Sequence, residues 1–414
     1  MPFANTEPLR RELATALPKR GFTVRFWDGT ELPATTANGA SSTNGDIDHG
    51  PIFTVRSPKA VAYVVRAPGE LGLGRAYVAG ELEVDDLDRV IGLIDDFEDP
   101  DIDRATQARL AVAALRACGL TIPPRAPKGE LRLKGRSHSK ERDAKAVRHH
   151  YDVSNEFFEL FLDKSMTYSC AIFSRGAKTL EEAQFAKLDL VCKKLKLQEG
   201  ERVLDVGCGW GAFVIHAARE YGVNAVGITL SPPQAELARR RIAEAGLSDK
   251  VEVRVADYRD LHGERYDAIA SIGMVEHVGE SNIDVYAQKL RNLLGSDGRL
   301  LNHGIAHLYT DVGYHGDFTQ RYVFPDGDPV QLSRVQLALE RAGFVTEHVE
   351  EFGKDYYDTL SEWIKRLDEN LVRAEQIAGK ERLRVWRLYL RSARNIFKTE
   401  FVSIYQTLAR PRLG

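Results

Sequence analysis

The chain has 414 residues, is 43% hydrophobic and 28% charged, and carries a formal net charge of −3. That length supports two domains and a sizeable core, and the near-neutral balance excludes a global electrostatic pull toward nucleic acid. Cys118, Cys170, Cys192 and Cys208 stand far apart with no CxxC pair, which argues for a reducing cytosol and against a disulfide framework or a zinc site.

The opening stretch MPFANTEPLRRELATALPKRGF has no apolar core and does not read as a signal peptide. No run of about 18 apolar residues is present to span a membrane. The charge is unevenly spread. Residues 81–103 carry eleven acids and one arginine, whereas 123–150 carry nine Lys/Arg and three acids. The basic stretch points to a local anionic partner.

In chain order, FTVRFWDGTELPA reads as a hairpin turning at Asp28-Gly29. TTANGASSTNGDIDHG reads as a polar loop, IFTVRS and AYVVRA as strands, and ARLAVAALRAC as a helix. IPPRAPKGELRLKGRSHSK is rich in Pro, Lys and Arg and reads as a linker. Thr179 and Glu182 then open TLEEAQFAKLDLVCKKL with the spacing of a capping box. From RVLDVG to GRLLNHGIA, strand and helix patterns alternate, which predicts an α/β fold with a parallel, doubly wound sheet. The tail after residue 356 reads as helical, with many Arg, Trp, Tyr and Phe. The expected organisation is an N-terminal α+β domain over 1–120, a basic linker over 121–145 and a catalytic domain over 146–414.

VLDVGCGWG follows a strand and opens a helix. Gly207, Gly209 and Gly211 let a ligand approach the backbone closely, beside a helix N-terminus. The spacing is GxGxG, Asp205 precedes it, and the second strand ends ITLS without an acid. That departs from the dinucleotide fingerprint, and the absence of GK[ST] excludes a P-loop. The pattern resembles that of S-adenosylmethionine (SAM) methyltransferases, with their Rossmann-like fold. The resemblance implies that Asp205, Gly207, Gly209 and Gly211 hold the methionine part of SAM, and that Asp257 and Tyr258 in ADYRD flank adenine. Thr229 and Gln234 stand in for the missing ribose acid, and Ile272 closes the cofactor set.

In such a sheet, ligands bind beyond the carboxyl ends of the strands. The fourth strand delivers Glu276 in SIGMVEHVG and the fifth delivers His303, so both are expected on the SAM side. Cys170 in MTYSCAIF and Tyr356 in FGKDYYDTL are candidates to join them. Taken singly, Cys170 reads as a small buried hydrophobe, His303 as a core histidine, and Tyr356 as a core aromatic. Cys192, Cys208 and His277 read as structural. An unpaired buried carboxylate at Glu276 is too costly to be idle.

The motifs YDVSNEFFELFLDKSMTYSCAIF, VLDVGCGWG, SIGMVEHVG, NHGIA and FGKDYYDTL, in this order, resemble those of the cyclopropane fatty acid synthase family. The resemblance is dense over about 145–410. It reaches more loosely into the N-terminal domain, which the bacterial phospholipid enzymes share and the mycolic-acid enzymes lack. It implies that Cys170, Glu276, His303, Ile305 (through its backbone) and Tyr356 surround a bound bicarbonate, with Tyr168 and Ser169 near SAM and the substrate.

The implied reaction is methyl transfer from SAM to a cis double bond of a phospholipid acyl chain. It demands in-line positioning, a dry site, aromatic faces such as Tyr168 and Phe173 for a carbocation, and a base. LNHGIA departs from the family's LLHTIG, so both a cyclopropane and a methylene branch stay open as products. A separate reductase partner would turn the branch into a methyl group. The net +6 of 123–150 gives roughly 6 kcal/mol of attraction to an anionic leaflet as an upper bound, screened by salt. This places the protein in the cytoplasm, peripheral to the inner membrane face. The N-terminal domain is expected to help docking or to form a homodimer. Trp386, Leu390, Ala393 and Phe397 share one face of a tail helix, which either meets lipid or packs on the core. The rival readings are a SAM-dependent C- or N-methyltransferase of a soluble small molecule and a non-catalytic lipid-binding protein.

Overall fold

The structure is a computed structural model that describes residues 5–35, 50–95, 102–119, 124–133, 135–151, 153–308 and 317–413. Most of the polar loop at 35–50 and part of the acidic stretch at 81–103 lie outside the described residues. The chain divides into two compact units, one of 1–130, 315–322 and 379–392, the other of 131–314, 323–378 and 393–414. The division is discontinuous, because 315–322 and 379–392 cluster with the N-terminal segment rather than with the domain they follow in sequence.

The first unit holds a four-stranded sheet of β1 (Thr23–Arg25), β2 (Glu31–Leu32), β3 (Ile52–Val55) and β4 (Leu82–Val84), in the order β2-β1-β3-β4. The hairpin turns where expected, with β1 antiparallel to β2 and Gly29 at φ +83°. AYVVRA is not a strand: it belongs to the helix Pro58–Arg66. Ser57 accepts from the Lys59 amide as N-cap and Pro58 opens the first turn, a start signal that outweighs the β-branched residues. Leu9, Phe26, Val55, Tyr63 and Ala76 are among the core residues of this unit. Glu130, expected inside the linker, is buried in a bidentate pair with Arg75, both bonds 2.7 Å.

The second unit is built on a seven-stranded sheet. Its strands are β5 (Arg202–Val206), β6 (Asn224–Thr229), β7 (Val251–Val255), β8 (Tyr266–Ile272), β9 (Leu294–His307), β10 (Phe344–Glu351) and β11 (Val402–Pro411). The order is β10-β11-β9-β8-β5-β6-β7. Pairings from β7 through β9 are parallel, and β11 runs antiparallel to both β9 and β10. FVSIYQTLAR, read with the helical tail, is therefore a central strand. Its Val, Ile, Tyr and Thr favour the pleat, and burial between two strands settles the conformation.

Two cores cover the sheet. Leu188, Val191, Val214, Leu301 and Leu408 belong to one, and Leu204, Ile269, Tyr286, Leu300 and Ala409 to the other. Alternation along β9 puts Leu301, His303 and Ile305 on one face and Leu300, Asn302 and Gly304 on the other. The helix Leu180–Lys194 lies on the first core and starts with the expected capping box at Thr179 and Glu182. In the tail helix, Trp386 and Leu390 of the first unit and Phe397 of the second are buried, and Ala393 is half-buried.

The segment after Cys170 is pinned to the helix Gly353–Glu369. Asp355 accepts from the amides of Phe173 at 2.6 Å and Ser174 at 2.7 Å, and one turn later Thr359 accepts from the Ala171 amide at 3.0 Å. Asp355→Ala leaves the amides of half-buried Phe173 and exposed Ser174 without their charged acceptor. It is expected to cost about 3 kcal/mol in urea unfolding, whereas Lys354→Ala on the exposed face should cost under about 0.5 kcal/mol.

Candidate active site

A cavity of about 130 Å³ opens at the carboxyl ends of the parallel strands. Asp205, Gly207, Gly209 and Trp210 line it at the end of β5 and just beyond, Thr229 and Gln234 likewise at β6, Asp257 and Tyr258 after β7, and Ile272, Gly273 and Met274 at the end of β8 and just beyond. Tyr168, Ser169 and Lys187 line it as well. Every expected cofactor residue is thus at the cavity except Gly211, which caps the following helix at φ +85°. Gly209 has φ +52°, and a Cβ there would meet nothing within 4 Å. The backbone is open to a ligand at that point.

The contacts refine individual roles. Asp257 is clamped by Arg259 through bonds of 2.9 and 2.6 Å, so its carboxylate is already largely engaged. Thr229 donates to Gln234 at 2.8 Å, which ties the two ribose candidates together. Burial raises the Asp205 carboxyl to about 7, against the pull of Lys187, and Asp205 Oδ1 has no partner among the described residues. Lys187, not anticipated from the sequence, is buried, donates to Ser169 Oγ at 3.0 Å, and is pushed down to about 8 by burial. Its signal was present, a lysine in the apolar stripe of AQFAKLDLV, but helical periodicity alone does not tell a buried lysine from a stem lying along the surface.

The helix Lys140–Tyr151 brings Asp143, Val147 and Tyr151 to the same cavity. Its first half falls in the expected linker, which is therefore partly cavity wall. Two of the basic residues there are paired, Lys140 with Asp260 and Arg142 with Asp326. His277, read as structural, also lines the cavity and stacks on Phe324 at 4.4 Å.

Cys170, Glu276, His303, Ile305 and Tyr356 do not line this cavity. Glu276 and His303, expected on the SAM side, adjoin the cavity through Gly273 rather than lining it. His303 lies within β9 rather than at its end, opposite Ile272 of β8, and its carbonyl accepts from the cavity residue Gly273 at 2.8 Å. Its ring stacks on Phe352 at 6.3 Å. The Phe352 carbonyl lies 3.7 Å from Cys170 Sγ and accepts the Tyr356 amide at 3.0 Å. One neighbourhood behind the cavity thus gathers Cys170, His303 and the start of the Tyr356 helix. Glu276 sits on the short helix Val275–Val278 just after β8.

The electrostatics of this neighbourhood follow from burial. Burial raises Glu276 to about 7, partly offset by hydrogen bonds from the amides of Glu276 and Ile305. The Ile305 amide, expected at an anion, is thereby directed to Glu276. Burial, with Lys187 and Lys194 nearby, drives His303 well below its usual range, so the ring is neutral. The Cys170 thiol is pushed up by burial and stays protonated. Two buried polar atoms here, Glu276 Oε2 and His303 Nε2, have no partner among the described residues. Such atoms are costly unless a guest satisfies them.

The departures in LNHGIA fall on the other face of β9. Asn302 Oδ1 accepts from Tyr286 at 2.8 Å, and a Cβ at Gly304 would meet Val275 Cγ1 at 2.1 Å. Both positions answer to packing against the helices beyond the sheet.

Glu276 has a folded pKa of about 7 against an ordinary 4.5. A raised acid stabilises the fold fully below its unfolded pKa, and that contribution is lost as pH rises through about 7. Asp205 acts in the same direction. The Lys187 contribution changes only above about 8, outside that window. Burial lowers His277 to about 4 and His303 further, and these act in the opposite sense over the same window, so the Glu276 share is read as a difference: the stability of wild type relative to Glu276→Gln in urea unfolding should fall by on the order of 3 kcal/mol between about pH 4 and above 7.

Residues 138–407 match the family described as mycolic acid cyclopropane synthetase. The chain is 38% identical over 395 residues to a probable fatty acid methyltransferase of Mycobacterium tuberculosis, covering 91% of this chain and 90% of the relative. It is 34% identical over 347 residues to the cyclopropane-fatty-acyl-phospholipid synthase of Escherichia coli K12, covering 82% and 83% respectively. A mycolic acid cyclopropane synthase solved in complex with SAH and CTAB superposes with a TM-score of 0.62 at 34% identity, over 64% of this chain and 97% of that one. With a glycine-lined cavity at the strand ends and matches over most of its length, the chain belongs to the cyclopropane synthase family and is a SAM-dependent methyltransferase.

Proposed function

We propose that the enzyme methylates a cis double bond of an unsaturated acyl chain in a membrane phospholipid, giving a cyclopropane ring or a methylene branch. The observation that carries this reading is the pair of buried, unpartnered atoms Glu276 Oε2 and His303 Nε2 immediately behind the cavity. Methyl transfer to a heteroatom has no use for such a cage. Transfer to an alkene leaves a carbocation that must lose a proton.

The residues fit SAM and a small oxyanion. The Gly209 backbone is open, and Asp205 Oδ1 is buried without a partner, able to accept from an ammonium. When bound, SAM supplies an electrophilic methyl group, and bicarbonate supplies a base. Neutral His303 offers one N–H to an oxyanion. Glu276, poised near neutrality, accepts from its hydroxyl or, when protonated, donates to it. Cys170 stays a thiol and closes the wall against water. Tyr168 lines the cavity and stacks on Trp363 at 5.0 Å, with Phe158 edge-on at 5.4 Å. That aromatic group suits a cation on the chain.

The phospholipid substrate follows the printed name of the E. coli relative. No helix among the described residues is long and apolar enough to cross a membrane. The enzyme is read as meeting its substrate at the cytoplasmic membrane face. Electrostatic attraction there is weaker than the raw charge of 123–150, since Lys140 and Arg142 are already paired.

The test is mass spectrometry of oleoyl phospholipid vesicles incubated with SAM and enzyme. The acyl chain should gain the mass of one CH₂, and catalytic hydrogenation should separate ring from branch. Glu276→Gln should lower turnover by about 10²–10⁴-fold with SAM affinity unchanged in calorimetry. An unmodified lipid pool in the presence of bound SAM would overturn the substrate assignment. Gly209→Ala, which strains a left-handed residue by about 1–2 kcal/mol and fills the open space, should instead weaken SAM binding at least tenfold.

A further inference from the structure

Gln406 of β11 lies directly opposite His303 of β9. Its Nε2 is 3.1 Å from His303 Nδ1, and its Oε1 is 2.7 Å from Lys194 Nζ. All three groups lie on the same face of the sheet, under the helix Leu180–Lys194, and Gln406 is fully buried. Lys194 is also paired with Glu350 at 2.6 Å. A paired ammonium has no lone pair and can only donate. The Gln406 carbonyl must therefore face Lys194, which turns its NH₂ toward the ring. An amide NH₂ only donates, so His303 Nδ1 must accept. A neutral imidazole carries one proton, and it is left on Nε2.

We propose that Gln406, braced by Lys194, is a positioning residue that locks His303 as the Nε2–H tautomer and so presents a fixed hydrogen-bond donor to an oxyanion at the reaction site. The proposal rests on the reading of the site given above. The other tautomer would turn a lone pair toward the anion. The lock costs nothing at the moment of reaction, because it is built into two paired strands rather than a loop. Phe352, stacked on the ring and lying 5.2 Å beneath the Lys194 ammonium, limits rotation of both groups.

The first measurement is the tautomer itself. The full-length enzyme, labelled with ¹⁵N at its 11 histidines, is examined by NMR, with His303→Gln identifying the signal. The expected spectrum shows Nε2 protonated and Nδ1 unprotonated across neutral pH. A protonated Nδ1 would overturn the proposal. Gln406→Leu should lower turnover on the order of 10²-fold and raise the bicarbonate concentration needed in CO₂-depleted buffer, with the SAM dissociation constant unchanged. Wild-type turnover and bicarbonate dependence in that variant would also overturn it. Should Gln406→Leu fail to fold, Lys194→Met frees the amide to flip and is expected to show the same loss together with a mixed tautomer signal. If the tautomer is as expected but His303→Gln turns lipid over normally, the functional reading fails and the lock stands as a structural feature.

Discussion

Glu276 and His303 are held away from water in the second unit, each with one polar atom that no described residue satisfies. That constraint shapes the site. Burial without a cation beside it pushes the Glu276 carboxyl up to about 7, so it exchanges its proton near neutral pH. A buried imidazole near two lysines stays neutral. Both groups therefore offer hydrogen bonds in a buried space, the imidazole as a neutral ring and the carboxyl as acceptor or, when protonated, donor.

The reversed strand makes this possible. A purely parallel sheet would end at β9, with His303 on an edge. β11 covers that edge, and its register sets Gln406 against His303 and Ile404 against Ile305. The same strand anchors the chain leading into Tyr356, since the Ile404 carbonyl accepts the Phe352 amide at 2.9 Å. Covering a sheet edge and orienting a histidine are thus one structural act.

The methyl-donor cavity and the polar neighbourhood behind it are built differently. The cavity is made of loops after the parallel strands, where glycine φ angles and helix starts admit a ligand. The neighbourhood behind is made of strand interiors and a helix start, where positions are fixed by ladder hydrogen bonds and by Asp355 and Thr359. Gly273 belongs to both, lining the cavity while donating to the His303 carbonyl.

Local sequence was enough for whatever local physics controls. The capping box at Thr179, the hairpin at Asp28-Gly29, the alternation of strands and helices, and the glycine loop each depend on a few neighbouring residues, and all appear in the structure. Glu276 and His303 could be singled out because a polar residue in an apolar run needs a reason. Three other features were decided only by the tertiary fold. β11 looked like part of a helical tail because its apolar residues have no strict period, and two flanking strands make it a strand. Residues 140–145, the first half of the helix Lys140–Tyr151, looked like linker because the stretch is polar, and ion pairs with distant residues fix it at the cavity. The tautomer of His303 depends on Gln406 and Lys194, more than 100 residues away on either side, and no pattern within a window of sequence can carry a hydrogen bond between strands so far apart.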